Sequence, residues 1–430
     1  MAATAGTVNV HGSVRPPGDK SITHRALMVA SLVSGTSVVR RALASADARS
    51  TAACLRALGI AIGPLKPGAA VQVRGGAWRA SSRTLHCGNS GTTARLLLGL
   101  LAARPFETRL SGDASLRRRP MRRVTEPLGR MGAEVHEERG DGLPLRIRGG
   151  RLGPLDWTLP VATAQVKSAL LLAGLVGGVA VTVREPVRSR DHTERMLRAL
   201  GVPLTQRGAT AALAAAPGWL ADCPPLDWTV AGDVSSAAFL VAAALLAESG
   251  ELRIVEVGLN PTRTGFLAVL ARMGASVERD ALRDQCGEPV GDLTVRPSSL
   301  RATEVAAGEI PSLIDEVPVL AVLASRAEGE TVFREVGELR VKESDRLGLL
   351  AENLRAVGGS AEVNGNDLCV IGTDRPPRGW VDTAGDHRLA LAFSVLARLP
   401  GARIELSERA SMAVSYPGFL DDLDRITSHA

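Results

Sequence analysis

Leu55-Arg-Ala-Leu-Gly59 recurs down the chain as Leu128-Gly-Arg-Met-Gly132, Leu197-Arg-Ala-Leu-Gly201, Leu270-Ala-Arg-Met-Gly274 and Leu354-Arg-Ala-Val-Gly358. Each phrase ends in glycine, which readily takes the left-handed conformation that closes a helix. Each glycine is followed by an alternating apolar–polar run, Ala133-Glu-Val-His-Glu137 for example, which reads as a half-buried strand. A second phrase runs in step with the first. It is an Ala/Leu-rich helix opened by polar residues or glycine, then a short turn and a Val/Ile strand, starting near Ser21, Gly91, Ala164, Ser235, Ser312 and His387. The starts recur at intervals of roughly 70 to 78 residues, so the repeat is a small α/β module and not a solenoid turn. Each module reads as strand, helix, strand, helix, strand, strand. Five copies of the first phrase are clear, and a sixth is degraded near Leu420. Helices apolar on nearly every face, such as Ala237–Ala247, are buried all round. The expected fold is therefore two α/β domains turned inside out, each of three βαβαββ repeats with buried helices and outer sheets.

The bulk composition agrees with two domains. A chain of 430 residues exceeds what one core usually serves. With 45% hydrophobic and 22% charged residues it is globular and not disordered. The net charge of +6 suits either nucleic acid or small anions. One Tyr and six Phe leave little aromatic surface for stacking on single strands. The five cysteines are scattered, without a Cys-x-x-Cys pair, which argues against a disulfide frame and a zinc site and fits a reducing, cytoplasmic setting. Met1–Val10 lacks the features of a signal peptide. The longest apolar stretch, Ala169–Val183, is shorter than the roughly 18 to 20 residues that span a bilayer.

The polar residues gather at the six helix starts. They are Asp19, Lys20, Ser21, His24 and Arg25; Asn89, Ser90, Gly91, Thr92 and Thr93; Thr163, Ala164, Gln165 and Lys167; Asp233, Ser235 and Ser236; Ser312, Asp315 and Glu316; and Asp386, His387 and Arg388. A helix start offers unpaired N–H groups and the positive end of the macrodipole, each favouring an anion by about 0.3–1 kcal/mol at an exposed site. Ser, Thr and Asp there read equally well as simple N-caps. That reading leaves out Lys20, Arg25, Lys167 and Arg388, which oppose the dipole they sit on and need an anion nearby. If the six starts converge on one cleft, it takes a highly anionic ligand set. Gly12-x5-Gly18-Asp-Lys20-Ser21 misses the P-loop spacing by one residue, which excludes a nucleotide triphosphatase on this motif.

In order along the chain stand Pro17-Gly-Asp-Lys-Ser-Ile-Thr-His-Arg25, Gly88-Asn-Ser-Gly-Thr-Thr-Ala-Arg95, Gly112-Asp-Ala-Ser-Leu-Arg-Arg-Arg-Pro-Met121, Ser189-Arg-Asp-His-Thr-Glu194, Ile314-Asp-Glu316, Arg340-Val-Lys-Glu-Ser-Asp-Arg346 and Gly385-Asp-His-Arg388. Together they resemble the EPSP synthase family of enolpyruvyl transferases over nearly the whole chain. The resemblance implies one lobe of residues 19–232 and a second of residues 1–18 plus 233–430. It implies transfer of the enolpyruvyl group of phosphoenolpyruvate to the 5-hydroxyl of shikimate 3-phosphate, with loss of phosphate and no metal or cofactor. Arg119, Arg346 and Arg388 would clamp phosphoenolpyruvate with their forked guanidinium groups, beside Asn89, Gly91 and Lys20. Ser21, Arg25, Thr163, Ala164, Gln165, Ser189, Arg190 and Lys342 would hold shikimate 3-phosphate, and His387 would also bind substrate. Asp315 would act as base at the hydroxyl, Glu343 as the proton donor to carbon, and Lys20 would touch both substrates. The partners implied are the two small substrates, with no nucleic acid, no membrane and a monomeric chain.

Two positions depart from parts of the family. Val414 stands where one subgroup carries Lys, and Thr163 replaces a common Ser. Gly91 leaves room beside the phosphoenolpyruvate site, which implies some sensitivity to glyphosate. Two rival readings stay open. UDP-N-acetylglucosamine enolpyruvyl transferase shares fold and donor, but its loop usually carries a Cys, absent from Ser111–Met121. An RNA-binding or RNA-end-processing protein would suit the basic charge but not the dispersal of cations over many helix starts.

Overall fold

A computed structural model describes residues 8–429; the reading of Met1–Val10 as free of a signal peptide lies, up to Thr7, outside the described residues. The chain forms two compact units. One holds Gly18–Ala231 together with Gln285–Glu288. The other holds the described residues up to Pro17, Gly232–Asp284 and the chain from Pro289 on. The segment 285–288, which sequence reading assigned to the second lobe, thus packs with the first unit. Three contacts tie it there: Gln285 Nε2 donates to the Thr229 carbonyl (3.2 Å), Arg195 Nη1 to the Gly287 carbonyl (3.3 Å), and His192 Nδ1 lies 2.8 Å from Glu288 Oε1.

In the first unit the repeat is plainest around Ala164–Gly177. Strand Leu155–Thr158 leads into that helix, then come strand Val181–Arg184, helix His192–Ala199, and strands Leu204–Arg207 and Thr210–Leu213. The first two strands pair in parallel and the rest antiparallel, giving a mixed four-stranded sheet. The sheet built on Glu107–Ser111 repeats this order. The sheet built on Gly35–Arg40 does too, but takes its parallel strand, Asp227–Thr229, from the far end of the unit. In the second unit Leu252–Gly258 and Glu330–Phe333 are the corresponding central strands. The sixth module departs from the pattern. Arg378–Val381 and Arg403–Leu406 form a two-stranded sheet, while Thr427–His429 pairs instead with Val8–Val10.

The inner helices explain the inversion. Val234–Leu245, Val317–Ala324 and His387–Leu396 are buried at every residue, and Lys20–Leu32, Gly91–Leu101 and Ala164–Gly177 nearly so. A helix apolar all round has no solvent face, so the sheets must cover it. The helices Gly91–Leu101 and Ala164–Gly177 approach so closely that a Cβ on Gly99 would lie 2.1 Å from the Ala169 carbonyl oxygen. Burial of each Leu in these layers contributes about 1.5–3 kcal/mol. The glycines ending the five repeated phrases all have positive φ. The sixth outer helix, Phe419–Ile426, lies where the degraded phrase was read, and runs straight into a strand without such a glycine.

One helix start differs from expectation. Ile310–Ser312 is a 3-10 turn, and the fifth inner helix begins at Val317. Pro318 explains the shift: it has no N–H to donate and its ring fits only in a first turn, so the helix cannot run back through it. Among the described residues no helix is long and apolar enough to cross a membrane.

Candidate active site

Four of the six helix starts are side-chain caps. Asp19 accepts from the Ile22 amide, Ser90 from Thr93, Asp233 from Ser235 and Asp386 from Arg388. Thr163 and Glu316, at the other two, make no such cap bond. The first unit carries 30 basic and 16 acidic residues, a net of +14. The second carries 21 and 29, a net of −8. The modest overall charge therefore conceals one strongly cationic half, where anion attraction is concentrated.

In that cationic unit the cations set against helix dipoles have found different partners. Lys20 Nζ lies 3.2 Å from Asp47 Oδ2. Lys167, which opposes its helix dipole, finds its anions within the protein: it is wholly buried between two carboxylates, Glu185 (2.6 Å) and Glu194 (2.9 Å). Among the described residues Arg25 makes no ion pair; its guanidinium donates to Thr193 Oγ1 (2.7 Å), Ser168 Oγ (2.8 Å) and the Ser21 carbonyl (3.0 Å). Burial pulls the Arg25 pKa down to about 10, against the pull of Glu194. Arg190, on the loop before His192–Ala199, is close enough to add to that depression. Arg25 is thus a buried cation held by neutral oxygens, poised for an anion.

The second cluster of the unit surrounds Gly91. Asn89 donates from Nδ2 to Asp113 Oδ2 and accepts at Oδ1 from Arg119 Nη2, both at 2.7 Å. Arg95 Nη1 donates to Gln165 Oε1 (2.7 Å), Arg95 Nη2 to the Pro120 carbonyl (2.9 Å), and Gln165 Nε2 to Thr92 Oγ1 (3.0 Å). Gln165 and Ala164, in the first turn of one inner helix, are thereby tied to the start of another. Arg95, one helical turn after Gly91, folds back over it and was not singled out from sequence; its pKa falls to about 10 through burial and the nearby Arg119 and Arg123.

His24 shows how hydrogen direction can be read from a chain of hydroxyls. Thr93 Oγ1 donates to Ser90 Oγ (2.8 Å). Thr51 Oγ1, 2.7 Å from Thr93 Oγ1, must then donate to it, and so accepts from His24 Nδ1 at 2.7 Å. His24 is neutral, with its proton on Nδ1 and, among the described residues, no hydrogen-bond partner at Nε2. Burial lowers its pKa from 6.5 to about 3, outweighing the opposite pull of Asp47. A base with a depressed folded pKa stabilises fully above pH 6.5, and the benefit is lost as pH falls toward 3. Each pH unit in that window costs about 1.4 kcal/mol. Urea unfolding of wild type should therefore lose about 2 kcal/mol more between pH 7 and pH 5 than the His24→Asn variant; equal losses would show that His24 does not carry this dependence.

In the second unit the residues assigned from Asp315, the Lys342–Arg346 segment and Gly385–Arg388 come together. Arg346 is wholly buried. Its Nε donates to Asp386 Oδ2 (2.9 Å), Nη2 donates to Glu343, and Nη1 lies 3.6 Å from Asp315 Oδ1. Burial opposes its charge, but Asp386, Glu343 and Asp315 together hold its pKa above the usual arginine value. Arg388 Nη2 lies 3.4 Å from Asp315 Oδ2, and Nη1 donates to the Asp315 carbonyl (2.9 Å). Asp386 is held ionised: burial raises its pKa, but Arg346 and His387 lower it more. Lys342, half-buried, caps the 3-10 turn Gly337–Val341 directly before Glu343. Sequence reasoning gave no catalytic or binding role to Asp386, Arg263 or Ser235. Arg263 donates to Ser235 Oγ (2.6 Å), which in turn donates to Glu316.

A family profile described as EPSP synthase (3-phosphoshikimate 1-carboxyvinyltransferase) matches residues 4–423. A 3-phosphoshikimate 1-carboxyvinyltransferase of Synechococcus sp. (strain RCC307) is 46% identical, the alignment covering 98% of each chain. That of Bacillus subtilis (strain 168) is 41% identical over 97% of each. The EPSP synthase structure from Acinetobacter baumannii superposes with a TM-score of 0.87 at 35% identity, covering 99% of this chain and 98% of that one. The enolpyruvyl transferase NikO from Streptomyces tendae shares the fold, with a TM-score of 0.75 at 21% identity over 99% and 100% of the two chains. With two units of three α/β modules, its motifs in order and matches along its whole length, this chain belongs to the EPSP synthase family.

Proposed function

We propose that the chain transfers the enolpyruvyl group of phosphoenolpyruvate to the 5-hydroxyl of shikimate 3-phosphate and releases phosphate. The observation that carries the chemistry is the pairing of Asp315 and Glu343 around one buried arginine, Arg346. Addition needs a base at the hydroxyl and an acid at the methylene carbon. Asp315, 3.6 Å from Arg346 Nη1 and 3.4 Å from Arg388 Nη2, is the base that takes the hydroxyl proton. The hydroxyl oxygen then bonds to the central carbon of phosphoenolpyruvate, and the methylene carbon takes a proton from Glu343. Elimination returns that proton to Glu343 while the carbon–oxygen bond to phosphate breaks. The residues that hold the donor are Lys20, Asn89, Gly91, Arg119, Arg346 and Arg388. Those that bind the phosphorylated acceptor are Ser21, Arg25, Thr163, Ala164, Gln165, Ser189, Arg190 and Lys342, and His387 also contacts substrate.

The family match disfavours both rivals, the UDP-sugar transferase and the RNA-binding protein. The test is phosphate release. It should require both small substrates and be lost in Asp315→Ala and Glu343→Gln; release without shikimate 3-phosphate would refute the assignment.

Gly91 gives the reading a second check. A Cβ there would lie 2.7 Å from Arg95 Nη1 and 3.5 Å from Arg119 Nη1. Since Arg95 is fixed at both ends, Gly91→Ala must push it off Gln165 or Pro120, at a cost of about one to two hydrogen bonds. The KM for phosphoenolpyruvate should rise about fivefold or more. Inhibition of wild type by glyphosate should be competitive with phosphoenolpyruvate and weaker in the variant. An unchanged KM would place the donor elsewhere.

A further inference from the structure

The loop from Glu185 to Asp191 runs outward through exposed Pro186, Val187 and Arg188, then turns in to bury Ser189. Local sequence does not dictate that turn. Ser189 is drawn in by its peptide groups: its N–H donates to Glu185 Oε2 (3.2 Å), and its carbonyl accepts from Lys167 Nζ (3.5 Å). The other oxygen of Glu185 accepts the Thr163 amide (3.0 Å), the residue at the uncapped start of Ala164–Gly177. Glu185 is itself anchored, its own N–H donating to the Ala209 carbonyl (3.0 Å) in the turn between two strands of the sheet. Both side chains, Lys167 and Glu185, have no solvent exposure. The Ser189 hydroxyl is buried and has no hydrogen-bond partner among the described residues.

Burying an ion pair this deep brings little stability by itself, because desolvation offsets most of the attraction. A buried pair that gathers two backbone amides from separate loops has another use: it fixes where those loops present their hydroxyls. We propose that the Lys167–Glu185 pair is the positioning device of the acceptor site, setting Thr163 and Ser189 at the spacing that the phosphorylated hydroxy acid requires. Glu185 makes the placement and Lys167 holds Glu185 and the Ser189 carbonyl in register. Neither touches the substrate. The unpartnered Ser189 hydroxyl is what the placement delivers to the ligand. The inference rests on the proposed function, since it names which half-site of that reaction the pair serves.

Two variants separate charge from reach. Glu185→Gln keeps the length but offers one acceptor oxygen for two amides. Glu185→Asp keeps the charge that Lys167 needs but withdraws it by one methylene, so it cannot reach both. Binding of shikimate 3-phosphate to the full chain is measured by calorimetry, with the KM of each substrate and thermal unfolding alongside. Both variants should bind shikimate 3-phosphate about tenfold or more weaker, as expected for one or two lost hydrogen bonds. The KM for phosphoenolpyruvate should stay within about twofold. If Glu185→Gln does not fold, Glu185→Asp decides alone, because it keeps two carboxylates, its own and that of Glu194, for the buried Lys167. Unchanged shikimate 3-phosphate binding, or equal weakening of both substrates, overturns the proposal. A wild-type chain that fails to bind shikimate 3-phosphate overturns the functional reading, and the inference with it.

Discussion

Asp315→Asn should lower kcat about a hundred- to ten-thousandfold while leaving the KM for phosphoenolpyruvate unchanged or reduced. The two halves of that expectation have separate causes. The loss of rate follows from removing the carboxylate, set between Arg346 and Arg388, that takes the proton from the acceptor hydroxyl. The direction of KM follows from charge. Asp315 now neutralises part of both arginines, with Oδ1 toward Arg346 and Oδ2 toward Arg388. A neutral amide of the same shape leaves the arginines more attractive to an anionic donor. Asn is the sharper probe than Ala because it keeps the volume and one acceptor oxygen. A purely structural role would give the opposite pattern, with the arginines displaced, KM raised and kcat little changed. Steady-state kinetics with each substrate varied in turn distinguishes the two outcomes. A drop in kcat below about fivefold would remove Asp315 from the role of base.

The modules were legible because they are written locally. Gly59, Gly132, Gly201, Gly274 and Gly358 close helices through their own backbone freedom, and helices apolar on every face can only be interior. What escaped is what depends on partners remote in the chain. Lys167 read as a cation in need of an anion, but which of the acids in its own repeat would supply it, Glu185 and Glu194, depends on how helix and loops pack and not on spacing. Arg95 lay inside a quoted motif, yet its role depends on Gln165, 70 residues on. The sixth module lost half its sheet because Thr427–His429 pairs with Val8–Val10 at the other end of the chain. No periodicity can report such a closure. The shifted start at Val317 is a different kind of miss, since Pro318 was in plain sight and its rule is local. Of the site, the residues that touch substrates in the family reading were named. The carboxylates that hold them were given no such role: Asp113 and Asp386 stood in quoted motifs without one, and Asp47 and Glu185 were not singled out, because an acid that orients another side chain looks like any other acid in sequence.

Asp386 makes the second large effect calculable in sign. Arg346→Met should destabilise the second unit by about 3–5 kcal/mol near neutral pH, the usual cost of leaving a buried charge without its partner. That is a large share of the roughly 5–15 kcal/mol that holds a domain folded. The wild-type guanidinium contacts three carboxylates, and Asp386, the most deeply buried, also caps its helix by accepting the Arg388 amide at 2.9 Å. In wild type Asp386 has a depressed pKa, so its contribution is present above its unfolded value of 3.8 and lost as pH falls through the folded value. Without Arg346 the burial effect, the largest acting on Asp386, should prevail and lift that pKa. The variant then gains protons on folding, so its deficit against wild type should shrink as pH falls from 7 toward 5. Adding Asp386→Asn to Arg346→Met should restore much of the stability at pH 7, because the amide still accepts the cap hydrogen bond without a buried charge. It should not restore turnover, since the forked donor for phosphoenolpyruvate is gone, and kcat/KM should stay about a hundredfold or more below wild type. Thermal unfolding across pH with phosphate-release kinetics reads all of this. If the double variant regained activity along with stability, Arg346 would be a structural arginine alone, and the donor would have to be held by the other cations assigned to it.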